Sequence, residues 1–290
     1  MDLAVGKLGE LSKYINAGVH TLVGIDINED SINNPENGAA TRIVKSAKYS
    51  PAIAKLADKT MLIIGTATKN IANGESVRDN INKYFIDVLY GRAKGNTQKL
   101  RKMEGVGLDK FDMITCMYAI HYMMNSENDL DNFLMNVSEN LLDQGYFIGT
   151  CLNGDAVLNE MGSKTEIKGI IDEKTVFLIK KISDDPKDYK DIKVGNKINV
   201  FFETFSGAFN ENLVSIPYLK EKAKKHSLKL IDYKSFLEEP GNMLSMYEGT
   251  NESWLKNSKG NAQTIRNSSA MTTWAKFNCY FMFQKVRKVE

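Results

Sequence analysis

A histidine followed by a tyrosine, His121 and Tyr122, is a pair of side chains in this sequence that could bind a ligand. A lone histidine beside a strand is more often a structural group than a binding residue. Two features set His121 apart: an aromatic residue follows it, and an apolar run that ends at Met117 comes shortly before it. The pair is a candidate binding element, and a purely structural histidine is the alternative.

The stretch from Phe111 to Asn153 contains the elements that must position this pair. Its pattern predicts a buried strand, a loop carrying the pair, an amphipathic helix, a turn at Gly145 and a second buried strand. In an open α/β sheet the carboxyl ends of the strands form the edge at which ligands bind. We therefore expect the site at that edge.

A carboxylate ends another short apolar run, HTLVGID, whose last residue is Asp26. In nucleotide-binding α/β folds, a carboxylate just past the second strand binds ribose hydroxyls. The alternative is that Asp26 caps the helix that begins near Ser31. The residues alone do not separate these two roles.

Apolar strands alternate with amphipathic helices as far as Asn153, which predicts an α/β fold. Residues from about 160 to 212 then form runs of strand length between turns, which predicts an antiparallel inserted lobe. We interpret residues 1–290 as a single domain that carries this lobe. The remaining pattern predicts helices at 216–226 and 236–247, and strands at 228–236 and 274–286.

The N-terminal segment Asp2–Gly9 has the form of a loop between a strand and a helix, and the helix is predicted at 7–17. Only Met1 stands where an apolar strand should precede that loop. We therefore expect the first strand to be missing, so that the second and fourth strands have no common neighbour. A gapped sheet would make these 290 residues unstable on their own.

Composition argues against several classes of protein. The 38 Lys and Arg residues against 36 Asp and Glu leave a net charge of +2, so no overall basic field points to nucleic acid. Cys116, Cys151 and Cys279 lie in or beside apolar runs without C-x-x-C spacing, which indicates reduced core thiols. No apolar run approaches the roughly 20 residues of a membrane span, and no signal-peptide pattern opens the chain. We expect a cytoplasmic protein without a membrane partner.

Several segments occur in an order that resembles the mRNA cap (guanine-N7) methyltransferases, in particular the methyltransferase domains of large DNA-virus capping enzymes. The segments are DLAVGKLGEL, VGIDI, FDMITCMYAIHY, NVSENLL, GYFIGTCLNGD, FNENLV and LKLIDYKSF. The resemblance covers nearly the whole chain. It implies a Rossmann-like fold with a mostly parallel seven-stranded sheet, S-adenosylmethionine as the cofactor, and methyl transfer to N7 of the guanine in GpppN-capped RNA.

The resemblance also implies which residues hold the cofactor, although some depart from the family pattern. Ala4 and Leu8 replace glycines, which admit close backbone approach. Thr66 stands in place of an aspartate near the adenine, and Met117 replaces a glutamine whose hydrogen bonds it cannot make. The implied cofactor-binding residues are Asp2, Gly6 and Lys7 at the amino-acid end, Asp26 at the ribose, Thr66 and Met117.

A second set of residues is implied for the cap. His121 and Tyr122 match residues that contact the guanine, and Leu152 stands where many family members have a proline. Glu211, otherwise a surface residue, matches the carboxylate that accepts hydrogen bonds from guanine N1 and N2. The implied cap-binding residues are His121, Tyr122, Leu152, Glu211, Asn278, at the position of a family tyrosine, and Tyr280 on the same face.

Methylation of guanine N7 needs no catalytic acid, base or metal, because N7 carries a free lone pair and the sulfonium methyl group is already activated. The site must only align the reactants and exclude water. Two alternatives remain open: a degenerate module that binds cap or cofactor without turnover, and a small-molecule methyltransferase of the same fold. The implied partners are capped RNA, guanylyltransferase or triphosphatase domains, or an activating subunit, in a host cytoplasm or a virion.

Overall fold

The computed structural model describes residues 1–204, 207–238 and 268–287. The strands of this part of the chain are β1 Asp2–Leu3, β2 Leu22–Asp26, β3 Thr60–Ile64, β4 Phe111–Met117, β5 Leu141–Leu152, β6 Glu166–Ile171, β7 Lys174–Lys181, β8 Lys197–Phe202, β9 Phe209–Asn212, β10 Leu228–Ser235 and β11 Asn278–Lys285. The α-helices are α1 Leu11–Asn16, α2 Glu29–Asn33, α3 Ala39–Ala47, α4 Pro51–Ala57, α5 Asn80–Leu89, α6 Gln98–Arg101, α7 Ile120–Met123, α8 Glu127–Asn140, α9 Gly154–Met161, α10 Ile216–Lys225 and α11 Ser269–Phe277.

Seven strands form the central sheet, in the order β10-β11-β5-β4-β1-β2-β3. The strands from β5 to β3 pair in parallel, whereas β11 is antiparallel to both β5 and β10. The apolar side chains of the central sheet pack against helices. Phe147 of β5 and Phe281 and Phe283 of β11 are fully buried beside Phe133 of α8. The predicted mostly parallel α/β sheet is confirmed.

The prediction of a gap beside the second strand is wrong. Strand β1 is only two residues long, yet Asp2 pairs with Gly24 of β2 and with Thr115 of β4. Leu3 pairs with Ile25 and is fully buried. Two residues suffice to join β2 and β4 at their carboxyl ends, which is where the predicted site lies.

Other local predictions differ from the structure at helix boundaries. The first helix begins at Leu11 and not at residue 7, because residues 6 and 8 have left-handed backbone conformations. The residues around His121 form the short helix α7 and not a loop. Residues 274–277 belong to α11, so the last strand begins at Asn278. Most of the helix predicted at 236–247 falls outside the described residues.

Strands β6 to β9 form a second sheet in which every pair is antiparallel. This sheet is the antiparallel insertion that the sequence pattern predicts. Its inner face packs around Phe177, Ile179, Ile198 and Val200, which join Phe277 at the end of α11 in a separate core cluster. We call the insertion the lobe. Strand β9 is its edge strand beside helix α7.

Helix α8 shows how the sequence positions these elements. Ser126 caps it by accepting a hydrogen bond from the Asp129 N–H at 3.1 Å. Leu130, Phe133 and Leu134 then recur at helical spacing and are buried against the sheet. In the described ranges, no helix has both the length and the apolar character needed to cross a bilayer.

Candidate active site

Two cavities adjoin at the carboxyl edge of the central sheet and share the side chains of Tyr118 and Tyr122. The first, which we call the sheet cavity, has a volume of about 770 Å³ and lies against the ends of β1 to β4. The second, the lobe cavity, has a volume of about 600 Å³ and lies between helix α7 and the lobe. The lobe cavity is lined by Tyr118, His121, Tyr122, Leu152, Val200, Phe202, Thr204, Phe209, Glu211, Trp274 and Asn278.

Asp26 lies in the sheet cavity with both of its carboxylate oxygens oriented by backbone donors. The Gly6 N–H donates to Oδ2 at 2.7 Å, and the Asn28 N–H donates to Oδ1 at 2.8 Å. Each carboxylate oxygen has two acceptor sites, so a further donor can bind to either one. Asp26 does not cap helix α2, because the side chain that does so belongs to Asn28.

The loop after β1 forms one wall of the sheet cavity. Ala4 has φ +80° and Leu8 has φ +58°, at the two positions where the resemblance implies glycine. The backbone therefore keeps the left-handed conformation of glycine although side chains are present. Gly6, at φ +52°, has no atom of the described ranges within 4 Å of where a Cβ would stand, so the wall is open toward the cavity.

Thr66 lies at the start of the segment that follows β3, and it also lines the sheet cavity. Its hydroxyl is 2.8 Å from that of Thr68. Asn136 of α8 holds this segment from behind, because its amide nitrogen donates to the carbonyl oxygens of Ala67 and Lys69 at 2.9 and 2.7 Å. The cavity wall is thus fixed by a buried amide.

Met117 and Tyr118 form the boundary between the cavities. Met117 ends β4 and lines the sheet cavity, with the Thr150 hydroxyl 3.8 Å from its sulfur. Tyr118 has φ +53°, and its N–H donates to the Thr150 carbonyl oxygen at 3.0 Å. The turn places the Tyr118 ring, which is half exposed, against both cavities.

His121 faces the lobe cavity as a buried, neutral imidazole. Only 9% of the residue is exposed, and its Nε2 atom has no hydrogen-bond partner in the described ranges. Burial lowers the pKa of His121 to about 4, so the ring carries no charge at neutral pH. The ring of Tyr122 lies 4.0 Å from it, centroid to centroid.

Glu211 enters the lobe cavity from strand β9, opposite Ile198 of β8. Burial raises the pKa of this carboxyl group. The surroundings are largely apolar, and the rings of Phe202 and Trp274 stack there at a centroid distance of 4.5 Å. An acidic group in such a pocket selects ligands that offer it hydrogen-bond donors.

The structure brings most of the sequence-predicted site residues to the two cavities, but not all of them. Asp2 is buried within β1, where the Tyr14 hydroxyl donates to its Oδ2 at 2.5 Å, and burial raises its pKa to about 6. Lys7 donates to the Asn37 side chain at 2.7 Å, outside the sheet cavity. The Tyr280 hydroxyl donates to Asp232 at 2.8 Å and does not line the lobe cavity.

Sequence reasoning missed the aromatic walls of the lobe cavity and the amides of the sheet cavity. Phe209 and Trp274 were interpretable only as strand residues. Asn210 and Asn212 line the sheet cavity from strand β9. The signal that was available is the alternation within FNEN, which sends neighbouring side chains to opposite faces of a strand.

Comparison with a solved structure shows the fold. The fold is similar to that of the CcbJ methyltransferase from Streptomyces caelestis, with a TM-score of 0.50, 11% identity, and coverage of 98% of this chain and 87% of that one. The sheet order and the two cavities at its carboxyl edge fit an S-adenosylmethionine-dependent methyltransferase. Within that class, the chain belongs to the mRNA (guanine-N(7))-methyltransferase domain family, whose model matches residues 1–286. The predicted family is therefore confirmed.

Curated relatives agree with this membership. The chain is 25% identical over 323 aligned residues to a probable mRNA-capping enzyme of Acanthamoeba polyphaga mimivirus, which covers all of this chain and 26% of that protein. It is 25% identical over 242 residues to an mRNA-capping enzyme of African swine fever virus, which covers 81% of this chain and 24% of that protein. The chain thus spans about a quarter of the length of these relatives.

Proposed function

We propose that this chain transfers the methyl group of S-adenosylmethionine to N7 of the guanine in GpppN-capped RNA. The observation that carries this proposal is the meeting of two cavities at Tyr118 and Tyr122. The sheet cavity offers the oriented carboxylate of Asp26, and the lobe cavity offers the carboxyl group of Glu211 beside a neutral His121. Family membership supports the same reaction.

The sheet cavity is assigned to the cofactor. Asp26 is poised to accept hydrogen bonds from two ribose hydroxyls, because both of its oxygens are already oriented. The open wall at Gly6 leaves room for the amino-acid end, and Thr66 and Met117 line the opposite side. Asp2 acts from behind the cavity, where it ties β1 to Tyr14 of helix α1.

The lobe cavity is assigned to the guanine. The two oxygens of Glu211 match the adjacent N1–H and N2–H donors of guanine, and an adenine would leave this buried group unsatisfied. Tyr122 offers an aromatic face, and Leu152 and Asn278 complete the walls. Among the residues that the structure describes, the Nε2 atom of His121 has no hydrogen-bond partner, so it is available to a polar group of the base.

The chemistry follows from alignment. S-adenosylmethionine supplies a methyl group that is bonded to a sulfonium sulfur. The N7 lone pair forms a bond to the methyl carbon while the carbon–sulfur bond breaks, and the electrons of that bond return to sulfur. Holding the two reactants in line and excluding water can lower the activation free energy by roughly 7 to 11 kcal/mol. Positive charge then appears on the guanine, where the ionised Glu211 carboxylate and the Tyr122 ring stabilise it.

A methyl-transfer assay with labelled S-adenosylmethionine and GpppRNA tests this proposal, with ApppRNA and inosine-capped RNA as competing substrates. We expect label on N7 of guanine and discrimination against both analogues. Glu211→Gln should reduce the discrimination against inosine, since the amide provides only one acceptor oxygen. Glu166→Gln, an exposed change in the lobe, is the matched control. Absence of transfer to GpppRNA under conditions where a related capping enzyme is active would contradict the proposal.

Two further outcomes identify the alternatives. Calorimetry that detects S-adenosylmethionine binding without methyl transfer would assign the chain to a binding module. Transfer to a small molecule that a cap analogue does not inhibit would assign it to a different substrate class. As a partner we propose capped RNA, together with the other capping domains implied by relatives four times as long, in a cytoplasmic setting.

A further inference from the structure

The edge strand β9 forms a partition between the two cavities. Phe209 and Glu211 line the lobe cavity, whereas Asn210 and Asn212 line the sheet cavity. Alternate residues of a strand point to opposite faces, so this division follows from the strand itself. One strand of four residues therefore faces both binding sites.

The neighbouring strand β8 repeats this division. Val200, which pairs with Phe209, lines the lobe cavity. Lys197, which pairs with Asn212, lines the sheet cavity. The lobe sheet thus presents an apolar and acidic face to one cavity and an amide-rich face to the other.

Asn212 also connects the lobe to the helix that carries the guanine-side residues. Its amide nitrogen donates to the His121 carbonyl oxygen at 2.9 Å. A second donor to that oxygen, the Met124 N–H, is more distant at 3.3 Å. Helix α7 has four residues and no side-chain cap, and so short a helix is not stable by itself. Asn212 is therefore one of the contacts that orient His121 and Tyr122, beside the packing of α7 against β5 and α8.

The amide oxygen of Asn212 is buried and has no hydrogen-bond partner among the residues that the structure describes. An unpaired buried carbonyl oxygen costs free energy, which a donor from a bound molecule would recover. Asn212 lines the sheet cavity, and an S-adenosyl ligand carries N–H and O–H donors on its adenine, its ribose and its amino-acid end. The unpaired oxygen is therefore suited to such a ligand.

We propose that Asn212 is a positioning residue that couples the two cavities: its amide nitrogen holds helix α7, and its amide oxygen accepts a hydrogen bond from the S-adenosyl ligand. This inference rests on the proposed function. Occupation of the sheet cavity fixes the Asn212 side chain, which fixes His121 and Tyr122 for the guanine. By thermodynamic linkage, each ligand then raises the affinity for the other by the same factor.

Titration calorimetry measures this factor directly, with S-adenosylhomocysteine and the GpppG dinucleotide as probes that cannot react. We expect GpppG to bind the unmodified chain more tightly when S-adenosylhomocysteine is saturating. In Asn212→Leu both affinities should fall by about 2- to 10-fold, as expected for one neutral hydrogen bond each. The coupling factor should fall to one.

Asn212→Asp separates the two halves of the side chain. A carboxylate keeps an acceptor for the S-adenosyl ligand but has no N–H for the His121 carbonyl oxygen. We expect near-normal affinity for S-adenosylhomocysteine together with loss of the coupling factor, a split that a merely structural role would not produce. Asn199→Ala is the control, because it removes an amide hydrogen bond to Asn210 on the same face without lining either cavity.

The possible results separate this inference from the proposed function. Independent binding of the two probes to the unmodified chain, or an unchanged factor in Asn212→Leu, overturns the coupling and leaves the proposed function standing. An equal loss of coupling in Asn199→Ala also overturns it, since the effect would then belong to the lobe sheet in general. If the unmodified chain binds neither probe, the proposed function fails and the coupling fails with it.

Discussion

The Gly6 N–H donates to the Oδ2 atom of Asp26 at 2.7 Å, so this hydrogen bond ties the loop after β1 to the carboxylate at the end of β2. The Asn28 N–H donates to the other carboxylate oxygen of Asp26, Oδ1, at 2.8 Å. A carboxylate that is already oriented by two backbone donors loses little side-chain entropy when a ligand binds. The relationship explains how a loop with an altered glycine pattern keeps its place beside the proposed ribose site.

Asp26→Asn should weaken binding of S-adenosylhomocysteine by about 10- to 100-fold. The change removes the charge and turns an NH2 group toward one of the two backbone N–H donors, and hydrogen bonds to a charged group are worth roughly 1.5–3 kcal/mol each. Calorimetry gives the affinity. Asp30→Asn, an exposed change on helix α2, is the control and should bind normally. Equal affinities for both variants would show that Asp26 does not contact the ligand.

Ala4→Gly should leave the free energy of unfolding unchanged or raise it, by at most about 1 kcal/mol. Ala4 has φ +80°, a conformation that is costly for a residue with a Cβ and free of strain for glycine. The same replacement inside a helix, Ala54→Gly in α4, should lower the free energy of unfolding by about 1 kcal/mol. Chemical denaturation of both variants checks the opposite signs, and losses of equal size would contradict the role assigned to the backbone.

The sequence was most informative where the pattern is long and apolar, and least where a few residues decide the structure. Strand Leu22–Asp26 is predictable because burial on both faces demands a continuous apolar run. Strand β1 was not, since two residues carry no pattern and pair only because β2 and β4 already flank them. Helix α7 was not predictable either, because the His121 carbonyl oxygen accepts a hydrogen bond from Asn212, which is 91 positions away.

The proposed binding site also has residues that the sequence predicted and one that it did not. The resemblance named Asp26, His121 and Glu211, all of which line a cavity. It did not name Asn212, because the property that matters is which face of β9 the side chain occupies, and this is fixed by the pairing of Lys197 with Asn212. Strand register is a tertiary property that a short polar segment does not specify by itself.

Asn136→Leu should lower the free energy of unfolding by about 3 kcal/mol. The Asn136 side chain is 1% exposed and makes three hydrogen bonds, two to the Ala67 and Lys69 carbonyl oxygens and one from the Ile71 N–H at 3.0 Å. Leucine of similar volume would leave these backbone groups buried and unpaired, at a cost of roughly 1 kcal/mol or more for each bond. Denaturant titration measures the loss.

Binding distinguishes this network from ordinary core packing. Asn136 holds the segment that carries Thr66, so Asn136→Leu should also weaken S-adenosylhomocysteine binding under conditions where the chain remains folded. Asn132→Leu removes a single bond to the Thr68 carbonyl oxygen at 3.1 Å and should cost about 1 kcal/mol. A loss in Asn136→Leu no larger than that of the control would rule out the network as the support of the cavity wall.

His121 should make the fold sensitive to acid. Its pKa is lowered by burial from 6.5 to about 4, so between these values the unfolded chain binds a proton that the folded chain does not. Stability from this group is therefore complete above pH 6.5 and is lost as the pH falls toward 4, by at most about 3 kcal/mol.

His121→Phe removes the titration while keeping an aromatic ring in the lobe cavity. Between pH 7.5 and 4.5 the unmodified chain should therefore lose about 2 kcal/mol more stability than this variant. His20→Gln, a change at an exposed histidine, should follow the unmodified chain. Denaturant titrations at the two pH values measure the free energy of unfolding of each variant. Equal losses of this free energy in the unmodified chain and in His121→Phe would mean that the imidazole is not buried in the neutral form.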